Sequence, residues 1–129
     1  MTIHVNYLEN GYGIEIIASG TVTGEEIIDA HKEIYKKETL KKLRYKIVDR
    51  TDCTKYQVYP DEIEKIAVMD DDASKINPNI IIAVISTTSL QYGMTRMWQA
   101  YLTNNLFITR NFSDRISADK WVKSYTEIQ

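Results

Sequence analysis

The chain has 129 residues, 43% of them hydrophobic and 26% charged, which suits one ordinary globular domain that needs no metal or disulfide staple. Sixteen Lys and Arg against eighteen Asp and Glu give a formal charge of −2, so no positive excess favours nucleic acid or an acidic membrane. The single cysteine, Cys53, excludes an internal disulfide and a thiolate zinc site, and agrees with a reducing, cytoplasmic setting.

Taken in chain order, Ile3, Val5 and Tyr7 alternate with His4, Asn6 and Leu8, and a turn-rich Glu9-Asn-Gly-Tyr-Gly13 string precedes Ile14, Ile16 and Ile17. Asn-Gly supplies the positive φ angles of a tight turn, so the opening reads as an antiparallel hairpin. Thr23-Gly-Glu-Glu26 is a capping box, and Ile27, His31, Ile34 and Tyr35 follow at helical spacing. Residues 45–49 (YKIVD) predict a short strand and 50–59 a loop. Pro60-Asp61 starts a second helix with Ile63, Ile66 and Ala67 facing inward. That helix is expected to stop near Met69, because Asp70, Asp71 and Asp72 oppose the negative end of its dipole. Residues 80–85 (IIIAVI) are apolar on both faces and β-branched, as in a central strand covered by helices on each side; the run is too short to cross a bilayer. A helix over 89–102, a strand over 106–112 and a helix over 113–125 complete the chain.

The predicted order is β-β-α-β-α-β-α-β-α, an α/β fold with a mixed, mostly parallel sheet, read as one domain over residues 1–129. No linker, repeat or low-complexity run interrupts it, and the first residues lack the pattern of a signal peptide. This order resembles the STAS domains of anti-sigma-factor antagonists. It is closer still to the bacterial SpoIIAA-like group, whose fold is related to CRAL-TRIO lipid-binding domains. The likeness rests on the hairpin ending in Gly20-Thr-Val-Thr-Gly-Glu-Glu26, on Ile47-Val-Asp-Arg-Thr-Asp52, on IIIAVIS, and on Phe112-Ser113 before a helix with Ala118 and Trp121-Val122. STAS antagonists are switched by phosphorylation of a serine at the start of the helix after the third strand. The matching stretch here, Lys55-Tyr-Gln-Val-Tyr-Pro-Asp61, contains no serine, so that switch does not carry over.

In such sheets ligands favour the crevice beyond the carboxyl ends of parallel strands. Two loops are expected to meet there: Asp49, Arg50 and Asp52 with Cys53 on one, and Ser86, Thr87, Thr88 and Ser89 on the other. The second opens the helix carrying Tyr92 and Arg96. The hydroxyls could hold a small anion, or Thr88 or Ser89 could simply cap the helix. His31 on an apolar stripe reads as a hydrogen-bonded core histidine. Cys53 has no neighbouring base to activate it. The Asp70–Asp72 run fails the calcium-loop template, which would need a glycine at Lys75 and a glutamate at Ile81. Met94, Met97, Trp98 and Tyr101 form a stripe that suits core, an apolar ligand or a second subunit of a homodimer. No cofactor is called for and no catalytic set assembles. The expectation is a non-catalytic regulatory or ligand-binding domain, meeting a protein partner or a small anionic ligand. The alternative, which the CRAL-TRIO relationship implies, is a module binding a lipid or other apolar small molecule; a buried lipid requires a cavity of at least about 300 Å³ between helix and sheet.

Overall fold

The computed structural model describes residues 2–127. Five strands form one sheet in the order β1-β2-β3-β4-β5: β1 (Ile3–Leu8), β2 (Gly13–Thr23), β3 (Tyr45–Gln57), β4 (Ile81–Ile85) and β5 (Ile108–Phe112). The hairpin β1–β2 is antiparallel and every later pairing is parallel, as the helical crossovers require. Glu9, Asn10 and Gly11 turn the hairpin with positive φ angles of 49°, 58° and 92°. The helices are α1 (Gly24–Ile34), α2 (Lys37–Lys42), α3 (Pro60–Ile76), α4 (Ser89–Tyr101) and α5 (Arg115–Glu127). Among the described residues, no helix is long and apolar enough to cross a membrane.

The capping box forms as read: Thr23 Oγ1 accepts from the Glu26 amide, and the Glu26 carboxylate accepts from the Thr23 amide. Strand alternation then divides the core. Ile14, Ile16, Ile82 and Val84 pack toward α1, α3 and α4, whereas Tyr45, Ile47, Ile81, Ala83 and Ile85 pack toward Ala118 and Val122 of α5. All five residues of β4 are buried, so helices do cover both of its faces, although β3 holds the middle of the sheet.

Four expectations change. The short helix α2 is additional; its buried Leu40 anchors it, and the Asn77 side-chain amide donates to the carbonyls of Leu40 and Leu43. Helix α3 does not stop at Met69 but runs to Ile76, because tertiary partners outweigh the dipole. Asp70 meets Lys46, and Asp71 accepts from the amide and hydroxyl of Thr103. Residues 50–57 are strand rather than loop, paired with β2 through two bulges in which β3 carries the extra residues. Finally, the inward face of α4 is Gln91, Met94, Thr95 and Trp98, leaving Leu90 and Met97 exposed.

Candidate functional site

Between the sheet and α1, α3 and α4 lies an interior cavity of about 60 Å³. Its floor is Lys46, Val48 and Arg50 of β3 with Ile82 and Val84 of β4, and half-buried Tyr56 and Met94 also line it. Because β3 alternates, its even-numbered residues 46, 48 and 50 share this face, and two of the three are cations. Polar groups at the two ends of the cavity are organised differently.

At one end Lys46, 1% exposed, is saturated. Its ammonium donates to Asp70 Oδ1 (3.0 Å), to Tyr35 Oη (2.8 Å) and to His31 Nε2 (2.8 Å). Asp70, also 1% exposed, accepts in addition from Tyr35 Oη (2.5 Å) and Trp98 Nε1 (2.8 Å). His31 Nδ1 lies 2.8 Å from the Ile27 carbonyl, so it carries the proton and Nε2 is the acceptor that Lys46 requires. Burial, reinforced by the adjacent ammonium, holds His31 down to about 4, neutral at physiological pH. Burial also lowers Lys46 against the pull of Asp70. Asp70 is itself lowered: burial opposes this, but the Lys46 ammonium and the Tyr35 hydroxyl prevail. The cluster is a closed, neutral knot in which three ammonium protons meet three acceptors.

At the other end Arg50, 2% exposed, meets only neutral groups. Nε donates to the Ile85 carbonyl (3.3 Å), and Nη2 donates to Ser86 Oγ (2.5 Å), the Gln91 carbonyl (3.3 Å) and Thr95 Oγ1. The guanidinium carbon lies 4.9 Å from the Tyr56 ring centroid. Among the described residues no carboxylate forms an ion pair with Arg50. Burying a cation without a counter-charge is expensive unless something supplies one.

The predicted site residues separate accordingly. Arg50 and Ser86 do come together, at the carboxyl end of β4, and Ser86 Oγ also donates to Asn111 Oδ1 (2.6 Å). Asp49 does not join them. As the next residue of a strand it faces α5, where it accepts from the Thr51 amide and hydroxyl and from Arg115 Nη1 (3.1 Å). Burial alone would raise the Asp49 carboxyl, but those partners hold it below the usual range. Arg115 also bridges Glu15 and Asp119, so it ties α5 to the sheet. Asp52 is exposed at a bulged stretch of β3, so the expected pair of facing loops is replaced by one loop and a strand.

Thr88 caps α4 by accepting from the Gln91 amide (3.1 Å), and it is exposed with Thr87 and Ser89. Thr87 donates its amide to Gln91 Oε1 (2.8 Å). Tyr92 and Arg96 lie outward, their groups stacked 6.0 Å apart, beside an open groove shared with Thr109 and Arg110. Cys53 is buried and directed at the Lys55 carbonyl (3.6 Å); burial raises its thiol, outweighing the lowering by that contact and by Arg50. The stripe residues Met94 and Trp98 line the cavity, while Met97 is exposed.

Sequence reasoning missed Lys46, Asp70 and Tyr35 as partners. The available signal was a lysine inside the strand YKIVD together with a histidine on the apolar stripe of α1, but nothing in the spacing joins them. Among the described residues no group of three His, Cys, Asp or Glu is placed to hold a metal. Compared with family models, curated proteins and solved structures, the chain matches none.

Proposed function

We propose that the chain is a non-catalytic domain of the STAS or SpoIIAA-like kind that binds a small anion at Arg50. The observation that carries this reading is a buried guanidinium beside a cavity, bonded to four neutral acceptors and paired with no carboxylate among the described residues. An anion supplies the missing charge where the low local dielectric makes it worth most. The antiparallel hairpin followed by helical crossovers supports the family likeness. A non-catalytic role fits Lys46, whose protons are all committed, and Cys53, whose thiol is raised. A cavity of about 60 Å³ falls well short of the at least about 300 Å³ that a lipid needs, so the observed packing gives the lipid alternative no support.

The test is thermal unfolding in a panel of formate, acetate, phosphate and sulfate at fixed ionic strength, for the natural chain and for Arg50→Met. At least one anion is expected to raise Tm in the natural chain and to lose that effect in the variant. Removing Arg50 leaves Ser86 bonded to Asn111 and Thr95 to the Gln91 carbonyl, so the variant is expected to fold. Equal responses of the two proteins to every anion overturn the proposal.

A further inference from the structure

Resting on that reading, we infer that the ligand at Arg50 is a short monocarboxylate, of about two or three carbons in all, rather than a phosphate-class dianion. Three observations converge on this class.

The first is the charge count. Lys46 and Asp70 cancel each other at 3.0 Å, both fully buried, and His31 is neutral. Arg50 is therefore the one uncompensated charge among the described residues that line the cavity. One negative charge brings the cavity to neutrality. Two would leave an excess anion in a site that already holds the Asp70 carboxylate, at a desolvation cost that nothing offsets.

The second is size. A cavity of about 60 Å³, against the roughly 300–1,000 Å³ of sites that take drug-sized ligands, suits a ligand of only a few heavy atoms. Acetate has four and propionate five. Chains of eight carbons do not fit without opening the helices.

The third is the distribution of polarity. The cationic lining lies at the Arg50 end, where the Thr95 hydroxyl is already given to the Gln91 carbonyl, while Ile27, Ile63, Ile82 and Met94 supply apolar wall. The guanidinium is held by Ile85, Ser86, Gln91 and Thr95 and also hydrogen-bonds the Tyr56 side chain, so its charge is fixed at this end of the cavity. At the opposite end the Lys46 protons are already donated to Asp70, Tyr35 and His31. A carboxylate satisfies this asymmetry, two oxygens at one end and carbon toward the isoleucines. A tetrahedral oxyanion would press oxygens against methyl groups.

The experiment is a titration of the full chain, followed by two-dimensional amide NMR, with sodium acetate, propionate, octanoate and phosphate at pH 8, where phosphate is mainly the dianion, and constant ionic strength. Arg50→Met and the charge-keeping Arg50→Lys are run in parallel, and urea unfolding confirms that each is folded. Saturable shifts at cavity residues are expected with acetate or propionate, at least tenfold weaker with phosphate and octanoate. They should be lost in Arg50→Met and partly kept in Arg50→Lys. Phosphate binding as tightly as propionate, and still sensitive to Arg50, overturns the carboxylate assignment and leaves the anion site standing. Binding of every probe unchanged by Arg50→Met, or no binding at all, overturns both.

Discussion

Replacing Asp70 by asparagine tests the core knot most directly. The natural carboxylate accepts from Tyr35 and Lys46 on one oxygen and from Trp98 on the other. An asparagine offers one oxygen and one NH₂. If the oxygen faces Lys46, the NH₂ meets the Trp98 N–H donor; if the group flips, the NH₂ meets the ammonium. Either way Lys46 stays 1% exposed with its counter-charge gone. Breaking one side of a buried pair costs about 3–5 kcal/mol, a large part of the roughly 5–15 kcal/mol that holds a domain together. With a urea slope of about 1.5 kcal/mol per M, the midpoint should fall by about 2–3 M, read by far-ultraviolet circular dichroism. The double variant Lys46→Met, Asp70→Leu removes both charges, and it should recover at least half of the loss. What remains reflects the Tyr35 hydroxyl and Trp98 N–H left without acceptors, about 1 kcal/mol each at the low end of the cost of an unsatisfied donor. A single variant costing under about 1 kcal/mol, or a double variant as damaged as the single, would refute the reasoning.

Three further outcomes follow from named contacts. His31 is held near 4 in the folded chain against 6.5 for the free side chain. The unfolded state therefore takes up the proton first, and stability should fall as pH drops from about 6.5 to about 4, by up to about 1.4 kcal/mol per pH unit. Urea melts across that range should show the slope, and His31→Gln should flatten it. A Cβ at Gly13 would sit 2.1 Å from the Tyr45 ring, so Gly13→Ala should cost about 1–3 kcal/mol in chemical unfolding and much less in a Tyr45→Ala background. Cys53 should resist iodoacetamide at pH 7 in the native chain and react on unfolding in urea, as scored by intact mass.

Much of the architecture was legible because it is written locally. The Thr23–Glu26 box, the Asn-Gly turn and the β-branched run at 80–85 each specify their element through nearest neighbours. The continuation of β3 was not legible. Residues 50–57 break strict alternation, since two bulges shift their register and Asp52, Thr54 and Lys55 are exposed. Nor was the persistence of α3 through Asp70 and Asp71, which depends on Lys46 and Thr103 far away in the chain. Arg50 and Ser86 were recognisable as polar residues near strand ends, and their meeting followed from two strands running parallel. That Asp49 would turn its back on Arg50 was decided by the same misjudged strand: in a loop neighbours can converge, and in a strand they cannot.

Beyond the end of β4, residues 50–57 of β3 have a strand on one flank alone. The open flank is occupied by Gln91 of α4, whose side-chain amide donates to the backbone carbonyls of Arg50 (3.5 Å) and Cys53 (3.4 Å). A helix thus supplies one counterfeit rung where the ladder stops. Such a rung denies an incoming chain part of the template on which fibril-like stacking begins, so a single glutamine blunts the flank at Arg50–Cys53, with exposed Lys55 next along the strand.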